Sequence, residues 1–342
     1  MASPPKARSA GGVKVIFGAM TIGKPGIEMT RIHSIDETKA VLDMFQKYGH
    51  DTVDTARVYG GGSSEEYLGA LDCPKRGIKL DTKLYPTALR PALSPDELYH
   101  HSAEDLRRGL FQSLKALGVK KVTTWYLHGP DRTVSFADTL RAVNELYKEG
   151  LFERYGISNY QAWEVAQICE LCEKNGWVKP AIYQGLYNGF HRAVEAELFP
   201  CLRYYGLSFY CFNPLAGGFL TSRYTRDMTE FEEGSRFDPK RYQGKLSRSR
   251  YFDDYFFDAL DSLRPVAKKH ELSEAECALR WLSHHSQLRA EKDDGIVVGA
   301  SSLKHLEENL IALSNGPLPE DVVEAMNQGW EIVRGKELKF WH

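Results

Sequence analysis

Hydrophobic positions along the chain fall into two alternating rhythms. Short apolar runs occur at Val13–Phe17, Thr52–Val53, Ile78–Leu80, Val122–Leu127, Tyr155–Ile157, Ala181–Tyr183, Leu207–Phe212 and Ile296–Val298. Each carries the β-branched or aromatic content of a strand. Between them lie stretches with a helical period: Asp36–Tyr48, Ser64–Leu71, Ala103–Leu117, Phe136–Glu149, Gln161–Lys174, Ala193–Tyr204 and Ala275–His285. Strands alternating with helices imply parallel pairing through crossover connections. Eight such strands predict an α/β protein with a closed (β/α)8 TIM barrel. A doubly wound sheet is the alternative, but no G-x-G-x-x-G follows the first strand.

One segment departs from the rhythm. Between Ala216 and about Tyr251 there is no strand, and Gly, Arg, Tyr and Asp abound. A connection this long inside a compact domain is expected to be a lid or disordered. It follows the seventh strand, so it belongs at the barrel mouth. Two further helices are expected at Leu303–Leu313 and Pro319–Val333, extra elements at the mouth, the second with Pro at its start. No repeat or low-complexity linker divides the chain. The expectation is a flexible tail over 1–12 and a single domain over 13–342.

The length of 342 residues accommodates one barrel of ~250 residues with insertions. The 42% hydrophobic and 26% charged content is ordinary for a soluble globular protein. Net charge is −2 with the signs interspersed, so no basic stripe points to nucleic acid. No apolar run nears the ~20 residues that span a bilayer, and the polar start lacks a secretion signal. A cytoplasmic protein is expected. Six cysteines are scattered. Cys169 and Cys172 form a C-x-x-C, but inside a helical pattern and without a second pair, so two half-buried thiols are expected rather than a redox or zinc site. No metal is expected.

The chemistry gathers after strands two, three and four. Asp54 and Tyr59 share the run Asp54-Thr55-Ala56-Arg57-Val58-Tyr59-Gly60, Lys83 ends Asp81-Thr82-Lys83, and His128 follows Leu127. Strand C-termini of a parallel barrel converge on one mouth. There Tyr59 can donate a proton, although a free phenol has a pKa near ~10. Lys83 can lower that value, Asp54 can hold Lys83 protonated, and His128 can polarise a carbonyl oxygen. Singly each is more often structural. Together they describe general acid catalysis, with the hydride left to a cofactor.

These segments resemble the aldo-keto reductases, over about Val13 to Trp330. The likeness extends to the aflatoxin-aldehyde reductase (succinic semialdehyde reductase) branch through Tyr183-Gln184-Gly185-Leu186-Tyr187-Asn188, Glu197-Leu198-Phe199-Pro200-Cys201-Leu202-Arg203, Phe212-Asn213-Pro214-Leu215-Ala216-Gly217-Gly218, Ser301-Ser302-Leu303 and Asn327-Gln328-Gly329-Trp330. The resemblance implies a catalytic tetrad of Asp54, Tyr59, Lys83 and His128. It implies that Ser158, Asn159 and Gln184 hold the nicotinamide amide and that Phe212 stacks on the ring. It implies that Asn213, Pro214, Leu215, Ala216, Gly217, Gly218 and Arg223 follow the pyrophosphate, and that Glu308 and Asn309 meet the adenine.

Two departures from the pattern stand out. Gly299 and His305 occupy positions where many members carry a Lys and an Arg for the 2′-phosphate. Ser301, Ser302, Lys304, Arg223 and Arg236 remain as phosphate partners, with His305 among the expected cofactor contacts, so NADP (NADPH) is favoured and NAD stays open. The branch often ends in Arg, whereas this chain ends Lys339-Phe340-Trp341-His342. Arg250 is retained and can hold a carboxylate. Met20, Tyr59, His128, Arg250 and Trp341 are the expected substrate contacts.

The expected activity is NADPH-dependent reduction of aldehydes, including dialdehydes, α-dicarbonyls and semialdehydes, as in detoxification, by a homodimer. Two other readings stay open: an NADP-binding redox sensor or channel-regulatory subunit with little turnover, and a pathway-specific alcohol dehydrogenase or ketoreductase.

Overall fold

The computed structural model describes residues 8–88 and 97–342. Eight parallel strands close into a barrel in chain order: β1 (Lys14–Gly18), β2 (Thr52–Asp54), β3 (Lys79–Leu84), β4 (Val122–Leu127), β5 (Phe152–Ser158), β6 (Ile182–Leu186), β7 (Ser208–Phe212) and β8 (Gly295–Gly299). Closure is made by β1 against β8, with Val15 opposite Ile296 and Phe17 opposite Val298. All eight expected strands are present. Most extend one to four residues further than the apolar run, because polar residues at their C-terminal ends still pair.

The period-two alternation separates two cores. Ile16, Tyr126, Ile182, Tyr210 and Val297 fill the barrel interior. Val15, Phe17, Leu42, Phe45 and their neighbours pack strands against helices. Gly156 and Gly295 make the interior possible: a Cβ on Gly156 would lie 2.4 Å from the Tyr126 ring, and one on Gly295 2.6 Å from Ile16.

The helical ring comprises α1 (Ile35–Lys47), α2 (Ser63–Ala70), α3 (Ala103–Leu117), α4 (Phe136–Lys148), α5 (Ala162–Asn175) and α6 (Leu198–Tyr205). Three more helices follow β7: α7 (Tyr242–Tyr251), α8 (Asp254–Lys269) and α9 (Glu274–His284). After β8 come α10 (Leu303–Ser314) and α11 (Glu320–Val333). Serine side chains cap α1, α3, α4, α9 and α10 by accepting a backbone N–H three residues on.

Four expectations change. The Ala193–Tyr204 helix divides into a short turn at Ala193–Glu195 and α6. Of the two C-terminal helices, α10 packs between α9 and α1 in the ring, and only α11 is extra. Its partner, α8, is hidden in the sequence by Pro265 in its interior, a residue that ordinarily argues against a helix. The 216–251 segment does lack strands, but it carries α7 and its own aromatic core. There Phe219 meets Phe257 (5.1 Å), Tyr224 meets Phe237 (4.6 Å), and Phe252 meets Phe257 (4.9 Å) between ring centres. Such pairs order a segment that composition alone marks as loop. Of the expected flexible tail, residues 1–7 lie outside the described residues. Residues 8–12 are pinned under the barrel: Arg8 pairs with Asp293 at 3.0 Å, and the Ala10 amide donates to the Leu313 carbonyl at 2.9 Å.

The pair α8–α11 is fastened to the loop after β6 by Arg192. Its buried guanidinium donates to the carbonyls of Gly189 (2.8 Å) and Met326 (3.0 Å) and to Asn327 Oδ1 (2.9 Å), and it lies 4.0 Å over the Trp281 ring. Arg192→Ala removes the donor shared by these acceptors, of which the Gly189 and Met326 carbonyls belong to buried residues. A loss of about 2–4 kcal/mol is expected in denaturant unfolding. A stability equal to that of the unsubstituted protein would show that the clamp is idle.

Candidate active site

The strand ends that carry the expected chemistry meet at one mouth. Asp54 is the last residue of β2, Lys83 the penultimate residue of β3, and His128 follows β4 directly. Tyr59 stands on a turn after β2 that passes through Gly60, Gly61 and Gly62, all at positive φ. A Cβ on Gly60 would lie 2.8 Å from Ser63 Oγ, so only glycine closes this turn.

Lys83 is the centre of the cluster. It is fully buried, and Nζ donates to Asp54 Oδ2 at 2.5 Å and to the Thr55 carbonyl at 2.8 Å. Nζ also lies 5.0 Å from the centre of the Tyr59 ring. Burial lowers the lysine pKa, but the Asp54 and Tyr59 charges outweigh it and hold the ammonium above its ordinary value. Burial raises the Tyr59 phenol above its ordinary value; Lys83 and Arg236 pull it down without overcoming burial. The expectation of a lowered phenol is therefore met only as Lys83's own contribution, not as the net result. The Tyr59 ring stands edge-on to His128 at 5.7 Å, and Tyr85 flanks His128 from the other side at 5.5 Å.

This cluster opens into a cavity of about 1950 Å³. Its walls include Met20, Asp54, Tyr59, His128, Ser158, Asn159, Gln184, Phe212, Asn213, Pro214, Leu215, Gly217, Gly218, Arg223, Arg236, Arg250, Ser301, His305, Glu308, Asn309 and Trp341. Four expected residues are placed differently. Ala216 is buried behind the wall. Ser302 is spent as the α10 cap, accepting from the His305 amide. Lys304 points along the helix surface to Glu308 at 3.7 Å. Arg223 faces the cavity, but its guanidinium is paired with Glu232.

Several contacts within the site carry no signal in the sequence. Gln184, expected at a nicotinamide, donates through Nε2 to Asp54 Oδ1 at 2.8 Å and so braces the Lys83 pair from across the barrel. Arg31 lines the cavity and shares Glu232 with Arg223, bridging the loop after β1 and the segment after β7. Arg57, also on the wall, pairs with fully buried Glu65, which accepts from Thr82 at 2.6 Å. Asn159, at φ 66°, donates to the His128 carbonyl at 2.9 Å, and the His342 amide donates to the Asn159 carbonyl at 3.3 Å. Such contacts join residues distant in sequence, and no local motif announces them.

The donor set suits a dinucleotide. Amide and hydroxyl groups of Ser158, Asn159 and Gln184 line the same cavity as the aromatic side chain of Phe212. At Gly218, φ is 99° and a Cβ would meet nothing within 4 Å, leaving a bare backbone approach beside Gly217. At the far end Ser301 Oγ and His305 Nδ1 lie 2.9 Å apart on the first turn of α10, where helix amides favour an anion.

A parallel barrel with a Tyr–Lys–Asp–His cluster at its mouth and a dinucleotide-sized cavity defines a carbonyl oxidoreductase. The chain belongs to the aldo/keto reductase family, whose model, described as "Aldo/keto reductase family", matches residues 14–331. It is 50% identical over 331 residues to "Aldo-keto reductase pigE" of Monascus ruber, covering 96% of this chain and 97% of that protein. It is 42% identical over 327 residues to human "Aldo-keto reductase family 7 member A3", covering 93% and 94%. It is 39% identical to mouse "Aflatoxin B1 aldehyde reductase member 2", covering 97% and 90%. Carbonyl chemistry with a nicotinamide cofactor follows from membership. No helix of the described residues is long and apolar enough to cross a membrane.

The C-x-x-C lies within α5 with both thiols buried. Burial pushes Cys169 up to about 12 and Cys172 up to about 11. A thiol reagent at pH 8 is expected to leave both untouched until the protein unfolds. Rapid labelling of either in the native protein would reopen a redox role.

Proposed function

We propose that the chain is an NADPH-dependent aldehyde reductase in which Tyr59 donates the proton. The observation that carries this reading is the buried ammonium of Lys83, locked to Asp54 and set 5.0 Å from the Tyr59 ring. A nicotinamide cofactor, when bound, supplies the hydride. Everything else falls to the chain. Tyr59 gives its proton to the carbonyl oxygen, and the fixed charge of Lys83 stabilises the phenolate left behind. His128, edge-on to the phenol, donates to the same oxygen and polarises it. Ser158, Asn159 and Gln184 hold the carboxamide, and Phe212 fixes which ring face is presented.

Ser301 and His305 favour NADPH, since they leave hydrogen-bonding groups at the start of α10 where a 2′-phosphate would lie. Arg236 reaches Asn213 Oδ1 at 3.2 Å and lies close enough to Tyr59 to act on it, which suits the pyrophosphate that NADPH and NADH share. Arg250 supports carboxylated or semialdehyde substrates. It lines the cavity, and its buried Nε makes no hydrogen bond among the described residues. Arg248, by contrast, stacks on Phe231 and Phe252, 4.5 and 4.2 Å from their ring centres, and is structural. Met20 and Trp341 wall the substrate end. We take residues 13–342 as one catalytic domain and a homodimer as its assembly.

Turnover of a small aldehyde panel with NADPH, and with NADH in parallel, tests the reading. Tyr59→Phe is expected to lose about a hundredfold to ten-thousandfold in kcat while binding cofactor normally. Retained turnover in that variant would remove Tyr59 from the chemistry. Arg250→Ala is expected to raise KM for succinic semialdehyde and 2-carboxybenzaldehyde but not for 4-nitrobenzaldehyde. An equal change for all three would contradict a carboxylate contact.

A further inference from the structure

One layer below the tetrad, the barrel interior holds a second carboxyl that the chemistry above does not use. Asp81 is fully buried on β3, two residues before Lys83, so the strand period puts both side chains on the inner face. It is the register partner of Asp54 on β2 and of Thr124 on β4. Neither carboxyl oxygen makes a hydrogen bond of ordinary geometry among the described residues.

The groups that face it can be named strand by strand. Lys14 of β1 and Arg154 of β5 bear on it from below, and both also belong to the polar plug around Tyr210 and Asp293. Asp54, its register partner on β2, and Lys83, two residues on along β3, act on it as well. Thr124 and Tyr126 of β4 and Tyr210 of β7 act from the sides. Strands β6 and β8 present Ile182 and Val297 to the interior, without charge. Lys83 thus stands between two carboxyls, and only Asp54 is in contact with it.

We propose that Asp81 is a positioning residue that sets, through Lys83, how strongly Tyr59 can act as an acid, and that it does so by being neutral when the enzyme reduces its substrate. This rests on the reading of Tyr59 as proton donor. With Asp81 neutral, the Lys83 ammonium answers one carboxylate and retains field for the phenolate that forms at Tyr59. With Asp81 ionised, the same ammonium answers two, and the developing phenolate is less stabilised. Burial and the neighbouring Asp54 charge push the Asp81 carboxyl up to about 7, so the change of state falls in the neutral range. The sign follows directly. As pH rises through about 7, Asp81 loses its proton, and reduction slows.

The same shift has a consequence for the fold. An unfolded aspartate ionises near about pH 4. The native state therefore holds a proton that the unfolded chain has lost between about 4 and 7, and native stability falls as pH rises through that window.

Profiles of kcat/KM for aldehyde reduction against pH, for the unsubstituted enzyme, Asp81→Asn and Asp81→Ser, test the proposal, with Tyr59→Phe alongside. The unsubstituted enzyme is expected to decline by about threefold or more between pH 6 and 8, with the decline abolished in whichever Asp81 variant folds. Thermal midpoints of that variant are expected to vary less with pH between 4 and 7. A merely structural Asp81 would lower activity evenly at every pH and leave the limb in place, which would overturn the proposal. If neither variant folds, carbon-detected titration of 13C-aspartate in the unsubstituted enzyme decides. A carboxyl midpoint near neutrality supports the proposal, and ionisation of every aspartate below pH 5 overturns it. An active Tyr59→Phe would overturn the proton-donor reading instead, so the two failures are separable.

Discussion

The buried ion pair between Lys83 and Asp54 is the constraint on which the site depends. Taking an ammonium out of water costs several kcal/mol even after relaxation, on the order of the stability of a whole domain. The cost is offset by hydrogen bonds to both charges: Lys83 Nζ donates to Asp54 Oδ2 at 2.5 Å and to the Thr55 carbonyl at 2.8 Å, and Gln184 Nε2 donates to the carboxylate's other oxygen at 2.8 Å. That coordination exists only in one register of β2 on β3. A slip of one residue would turn Asp54 and Lys83 to the helical face, where apolar side chains pack. The charge at the mouth and the closure of the barrel are thus one specification.

Around that pair the polypeptide divides its labour. Strand ends carry the reacting groups, and rigid packing below them fixes their positions. The tyrosines Tyr126 and Tyr210 fill the barrel to the point where glycine is required opposite them. The segment after β7 is ordered by an aromatic core of its own and is bridged to the loop after β1 through Glu232, which holds both Arg31 and Arg223. The cavity therefore has a rigid floor and a roof joined by surface ion pairs. Such exposed pairs are worth about 0–1 kcal/mol each, so the roof is the cheaper part to move.

The barrel was legible because its strands are short apolar runs at regular spacing with amphipathic helices between. The gathering of Asp54, Tyr59, Lys83 and His128 at one mouth was legible because four unlike polar side chains stand where such strands end. The cavity wall was legible through resemblance, and most of its residues line one space. What stayed hidden was contact across sequence distance. Gln184 reaches Asp54 over four strands of barrel. Lys304, read as a phosphate partner, is drawn instead to Glu308 one turn further on, as helix geometry favours. The α8 helix was obscured by Pro265, and α7 by its mixture of Arg, Ser and Gln. Asp81 was visible in principle: two charged residues at a spacing of two within an apolar strand must share a face, and here that face is the barrel interior.

In the mechanism proposed for this site, the Lys83–Asp54 pair supplies the field in which Tyr59 acts. Single-turnover reduction by the double variant Lys83→Met, Asp54→Asn tests it most directly, because removing both charges avoids leaving one buried alone. The account predicts a folded protein that binds the cofactor and transfers hydride about a hundredfold or more slowly. Transfer at the rate of the unsubstituted enzyme would contradict it.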